Sequence, residues 1–310
     1  MVSASADTIT SKGTTAWRTP MKISRISKKK KYICFALLFL IGLSILLYPT
    51  LSDAWNQYRN AQMIGTYDTA VNNLPDEEYN RLWKEAKKYN KEHQVNTFAD
   101  VFDENGKRIL NDSYNKILNV GEDGLMGSIE IPKIHVKIAI YHDLTDELTE
   151  KGAGHVAGTS LPVGGKSTHA VIAAHRGLPN AKLFTDLDQM EIGDIFLLHI
   201  LGKTLAYKVD QIKTVLPSEI EALDIIKGED YVTLLTCTPY GVNTHRLLVR
   251  GIRTKYVEPK EENDTVPQKL AQVEPKKILE VGLAVFVILI VLLKLALYYR
   301  NRKQKQSFIN

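Results

Sequence analysis

Two long apolar runs constrain this 310-residue chain more than any other feature. Residues 32–48 read YICFALLFLIGLSILLY, without a charge and diluted only by Gly42 and Ser44. Residues 281–299 read VGLAVFVILIVLLKLALYY, interrupted once by Lys294, whose long stem can carry its charge toward a membrane surface. A bilayer core demands roughly 20 apolar residues of a spanning helix, and a helix on a globular core keeps a polar face. Both runs are therefore expected to span a membrane.

The flanking charges orient them. Lys22, Arg25 and Lys28 to Lys31 precede the first run, and Arg300, Arg302, Lys303 and Lys305 follow the second. The positive-inside rule sets both termini in the cytoplasm and the intervening chain outside the cell membrane. The first run reads either as a signal-anchor or as a signal peptide cleaved at small residues near Thr50–Ser52 or Ser52–Ala54. Met21-Lys22 resembles an ordinary signal start, with residues 1–20 unstructured before it.

The formal charge of +5 belongs to the membrane flanks. Residues 1–51 hold eight Lys/Arg against one Asp and residues 276–310 hold seven against one Glu, leaving 25 basic and 33 acidic residues between them, a net of −8. Such a domain lacks the basic footprint of a nucleic-acid binder. Of the two cysteines, Cys34 lies in the first apolar run, so Cys237 is alone in a domain facing an oxidising space. A single thiol there is intermolecular or reactive.

Between the apolar runs the pattern changes twice. Trp55, Tyr58, Ile64, Tyr67 and Val71 recur at helical spacing, as do Tyr79, Leu82, Ala86 and Tyr89 after Pro75-Asp76-Glu77-Glu78, where acidic residues suit a helix start. Residues 94–126 are polar and aperiodic, and read as a long surface loop. From Gly127 onward, short β-like runs alternate with turn residues: 128–131, 136–141, 170–174, 194–200, 204–214, 231–236 and 245–252. Many short strands with Gly/Pro-rich turns indicate a barrel or a sandwich. A short helix fits 181–187, and the polar stretch after Arg253 reads as a tether.

The sharpest chemical signal is YVTLLTCTPYGVNTHRLLVRG at 231–251. The run from Val232 to Thr236 delivers Cys237 at a strand end, Pro239 forces a turn, and a returning strand presents Arg246, Leu248 and Arg250 on one face. Such a hairpin can bring Cys237 and Arg246 side by side. A nucleophilic thiol needs a base or a depressed pKa, and an attacked carbonyl needs donors for its oxyanion, which the permanently charged fork of an arginine supplies. Of eight histidines, His175 stands out as the base because it ends the apolar run Ala170–Ala174 just before Arg176-Gly177.

These residues resemble the sortases. TLLTC at 233–237 is similar to the family's TLxTC signature, Arg246 follows the cysteine by nine positions, and AAHRG at 173–177 is similar to the family's strand-end histidine segment. GAGHVAGTSLPVGG at 152–165 and LPNAKLFTDLDQMEIGD at 178–194 resemble the class C, pilus-building branch, and the likeness covers roughly residues 53–255. It implies a mainly β fold, a closed eight-stranded β-barrel with N-terminal helices and two flanking transmembrane helices. It also implies a cysteine transpeptidase of Gram-positive bacteria, with Cys237 attacking an LPxTG-type sorting signal, His175 shuttling protons and Arg246 holding substrate or oxyanion. The acyl acceptor would be a pilin lysine, the alternative being a wall-anchoring sortase that uses a peptidoglycan amine. Class C members resemble one another in a lid bearing an Asp-Pro-aromatic motif; the matching residues here are Asp100, Val101 and Phe102, with valine in place of proline.

The expected division is a basic cytoplasmic N-terminus (1–31), a transmembrane anchor or signal peptide (32–51), N-terminal helices (52–93), a loop with a candidate lid (94–126) and a catalytic barrel (127–255). A polar tether (256–277), a transmembrane helix (278–299) and a basic cytoplasmic tail (300–310) complete it. No cofactor is expected: the histidines lack metal-ligand spacing, the acidic residues at 103–104 and 122–123 lack a calcium-loop pattern, and Gly164-Gly165 lacks a phosphate-loop context. Two rivals fit less well. A papain-like hydrolase has its cysteine at a helix start with the histidine downstream, whereas here His175 is upstream; a non-enzymatic adhesin leaves the single outer thiol unexplained.

Overall fold

The β-branched and aliphatic runs after residue 124 become strands that close on themselves. In the computed structural model, which describes residues 28–93, 114–142, 151–219, 221–256 and Lys294, these are β1 (Leu125–Ile131), β2 (Val136–His142), β3 (Ala153–His155), β4 (Thr168–Ala173), β5 (Ile195–Ile200), β6 (Lys203–Val215), β7 (Asp230–Thr238) and β8 (His245–Thr254). They pair in the order β1-β2-β3-β4-β7-β8-β6-β5, and β5 returns to β1 to form a closed eight-stranded barrel. The β2–β3 and β4–β7 pairs are parallel and the others antiparallel.

Strand alternation separates two apolar faces. Ile129, Ile172, Leu198, Val232, Leu234, Leu247 and Val249 belong to the main core. Val171, Ala173, Leu235 and Leu248, the alternate residues of β4, β7 and β8, form a smaller outer cluster under Leu223. Gly251 on β8 makes room for the stacked rings of Phe196 and Tyr207: a Cβ there would lie 2.6 Å from Phe196 Cε1.

Two helices precede the barrel, α1 (Lys28–Asn72) and α2 (Asp76–Glu92). Contacts divide the chain into two units, residues 1–46 and 47–310. In the first, the apolar side chains of Phe35, Leu38, Phe39 and Ile45 are all exposed. Leu37–Asn72 is the one helix among the described residues long and apolar enough to cross a membrane. The expected second span, 278–299, lies outside the described residues except for Lys294, which is helical. The suggested cleavage positions at 50–54 fall inside α1.

In the second unit, Asn60, Ile64, Tyr67 and Val71 form a buried helical stripe on α1, and Leu82, Trp83, Ala86 and Asn90 do so on α2. The polar members of these stripes satisfy barrel backbone groups that would otherwise be buried without partners. Asn60 donates to Lys151 O and accepts from Ala139 N. The Tyr67 hydroxyl donates to Met126 O and accepts from Leu201 N, while Asn90 donates to Leu161 O and accepts from Leu161 N.

Three details depart from the sequence reading. The supposed surface loop buries part of its length: Tyr114 and Leu118 are in the core, Tyr114–Lys116 is a 3-10 turn, and the first strand starts at Leu125 rather than 128. The three-residue β3 is an additional strand. Residues 181–187 form a turn rather than a helix, because Leu183 takes a left-handed conformation at φ 40°, and a 3-10 turn follows at Leu187–Gln189.

Two buried histidines make stability pH-dependent. His155 accepts from the Tyr114 hydroxyl at Nδ1 (2.7 Å) and donates from Nε2 to Ser160 O (2.8 Å). His169 donates from Nδ1 to Asp224 O (2.9 Å) and accepts at Nε2 from the Thr233 hydroxyl (2.7 Å). Burial pushes each from 6.5 down to about 4, against the opposing effect of the carbonyl it faces. Both are neutral when folded, whereas the unfolded chain binds a proton at each near pH 6.5. Their contribution is thus complete above that pH and is lost as pH falls from about 6.5 to about 4, by about 3 kcal/mol for each histidine. The urea unfolding midpoint is expected to drop steadily from pH 7 to pH 4.5; a constant midpoint would contradict neutral burial.

Candidate active site

Three neighbouring strands bring Cys237, Arg246 and His175 to one end of the barrel. Cys237 and Arg246 are register partners across the antiparallel β7–β8 pair. The parallel β4–β7 ladder ends at Ala173↔Leu235, two residues before His175 on one segment and before Cys237 on the other. Alternation sets Cys237 and Arg246 on the outer face, continuing the row of Leu235 and Leu248. His175 has the same parity as Val171 and Ala173 on that face. Cys237 and Arg246 are buried, at 6% and 7% exposure, and His175 is partly exposed.

The β7–β8 turn shapes this end. Val242 N and Asn243 N both donate to Pro239 O, and Gly241 and Asn243 adopt positive φ (72° and 61°). Folded back in this way, the turn offers carbonyls to Arg246, whose Nη1 donates to Asn243 O (3.0 Å) and His245 O (3.1 Å). That arrests one edge of the guanidinium fork. Arg250, on the same face, is instead committed to Asp210, the extra residue of a bulge in β6, through Nε (3.0 Å) and Nη2 (2.7 Å), and stacks on Tyr231. Geometry therefore distinguishes two arginines that the sequence alternation treated alike.

The loop leaving His175 is held from several sides. Phe184 N donates to His175 O, Gly177 N to Thr185 Oγ1, and Lys182 Nζ to Ile134 O. From α1, Asp53 Oδ1 accepts from Lys182 N (2.8 Å) and Asn56 donates to Asn180 O (2.5 Å). Gly177, at φ 82°, lets the Tyr240 ring of the β7–β8 turn approach closely: a Cβ there would lie 3.1 Å from it. Arg176 donates to the Thr238 hydroxyl (3.0 Å) and pairs with Asp188. Asp53 and Asn56 carry no motif of their own in the sequence; Arg176, Asp188 and Thr238 lie in or beside the family-like segments, but only the fold reveals that Arg176 joins the other two. Asp100 and Phe102, the candidate lid residues, lie outside the described residues.

Comparison with known proteins converges on the same architecture. Residues 129–254 match the Sortase domain family. Sortase C1 of Streptococcus agalactiae, solved in complex with MTSET, superposes with a TM-score of 0.59 at 45% identity, covering 64% of this chain and 99% of that one. Sortase C of Streptococcus pneumoniae gives 0.59 at 45% identity, covering 64% and 100%. Among curated relatives, sortase A of S. agalactiae is 28% identical over 130 residues, 41% of this chain and 52% of that protein. Sortase A of Bacillus anthracis is 28% identical over 127 residues, 41% and 59%. The matches thus span just over half the length of these curated relatives. The chain belongs to the sortase family, whose members are cysteine transpeptidases. Within it, the chain falls in the class C branch, with the pilus-associated streptococcal enzymes.

Proposed function

We propose that this chain is a pilin-polymerising transpeptidase acting on LPxTG-type sorting signals. The observation that carries the reading is the β7–β8 register that pairs Cys237 with Arg246, supported by a β4–β7 ladder that ends two residues short of His175 and Cys237. In the first step Cys237 Sγ attacks the threonine carbonyl carbon, Arg246 donates to the developing oxyanion, and the Thr–Gly C–N bond breaks. His175 gives the departing glycine amine its proton, leaving a thioester. In the second step an incoming lysine amine attacks that thioester, loses its proton to His175 and displaces the thiolate, forming an isopeptide bond.

Pilin as the substrate is supported by the 45% identity to the pneumococcal sortase C, a structure described in terms of its pilin substrate specificity. The exposed apolar part of α1 and the basic residues before it support a membrane anchor with the barrel outside the cell and both termini inside. The direct test incubates the full chain in detergent micelles with an LPxTG peptide and measures the intact mass. A peptide-acyl adduct on Cys237, discharged by a lysine-bearing peptide, is the expected result. Cleavage without any adduct on Cys237 would overturn the covalent route.

A further inference from the structure

We propose that Arg176 is a positioning residue, locking the end of β4 against the end of β7 so that His175 and Cys237 face each other at a fixed separation. The proposal rests on the reading of that pair as the reacting groups. The backbone ladder between β4 and β7 stops at Ala173↔Leu235. Beyond it, Ala174 N donates to Leu235 O (3.2 Å) and the Thr236 hydroxyl donates to Ala174 O (2.8 Å). The Arg176 bond to Thr238 Oγ1 (3.0 Å) is the next rung. Side-chain links at 174/236 and 176/238 thus bracket the 175/237 pair.

By parity, Thr236 and Thr238 belong to the face of β7 opposite Cys237. The bridge therefore acts from behind the pair. The Arg176 side chain is 8% exposed, and its second arm reaches Asp188, which is half exposed. Its Nε is buried without a partner among the described residues. An unsatisfied buried donor is costly, so a residue serving packing alone would gain by lacking it. What the guanidinium adds is a planar fork reaching two acceptors in different directions, which an ammonium cannot reproduce. The loop has its own closures, at His175 O, Thr185, Asp53 and Asn56. Loss of the Arg176 rung should leave it folded while loosening the geometry between the strand ends.

The test measures steady-state kinetics on an LPxTG peptide with the full chain in detergent. Thr238→Val keeps the shape and removes the acceptor: kcat is expected to fall about tenfold with KM within about twofold, since misplacement of a reacting group by an ångström costs up to about 100-fold. Arg176→Lys should fall comparably. Thr238→Ser, which keeps the hydroxyl, should restore most of kcat. A kcat within twofold of the parent in Thr238→Val, or an equal fall in Thr238→Ser, overturns the proposal. If Thr238→Val does not fold, Asp188→Asn at its half-exposed position decides: about a threefold lower kcat at unchanged KM supports the bridge, and parental kcat overturns it. Cys237→Ala run alongside separates the two readings. Residual cleavage there would sink the transpeptidase assignment, whereas an inactive Cys237→Ala beside a normal Thr238→Val would sink only the positioning role.

Discussion

Cys237→Ala is expected to abolish peptide cleavage and transfer together, while the barrel stays folded. Cys237 is the one cysteine outside the apolar run at 32–48, and only a cysteine can carry a thioester. At 6% exposure, the substitution removes one sulfur from a strand end outside the main core cluster, a change worth about 1 kcal/mol. Chromatography of the peptide products, together with a melting curve, checks both halves. A folded variant that still cleaves would move the nucleophile elsewhere.

The second large effect is expected at Arg246. Its Nη1 is taken up by the carbonyls of Asn243 and His245, which fixes the plane of the guanidinium relative to Cys237, its register partner. Arg246→Lys keeps the charge but loses the fork that these carbonyls orient. A loss of at least ~100-fold in kcat is expected, the scale of one oxyanion donor. The partition of the loss identifies the role: a fall in kcat at constant KM indicates a bond made in the transition state, and a rise in KM alone indicates a grip on the ground-state substrate. Parental kinetics would reduce Arg246 to a structural residue of the turn.

How far the sequence could be read depended on where the information is local. The barrel strands with β-branched alternation, such as β7 and β8, were legible because each carries its own period. β3 was not: Ala153-Gly154-His155 has no alternation, and its place is set by β2 and β4 on either side. The polar stretch after residue 94 hid Tyr114 and Leu118, because the short apolar cluster they form with Ile117 and Val120 is embedded among Asn, Asp and Gly residues. The turn at Leu183 defeated a helix expectation that relied on composition alone. At the site, Cys237 and Arg246 were legible as a pair because a short hairpin fixes their spacing, and His175 because it ends an apolar run. Arg176 and Thr238 were not, since a parallel register between segments 62 positions apart joins them.

That same parallel pairing decides when the thiol can become reactive. β7 reaches β4 only after the chain has gone through β5 and β6, and it must then enter between β4 and β8. Contacts across such sequence separations incur their loop-closure cost before they bring any stabilisation, and they form late in folding. A chain still unfolded thus carries Cys237 as an ordinary cysteine, away from the histidine just past the end of β4, until the crossover is complete. On the proposed assignment of Cys237 and His175, acyl-transfer competence is a property of barrel closure itself, and a half-formed barrel has no half-formed enzyme to misdirect.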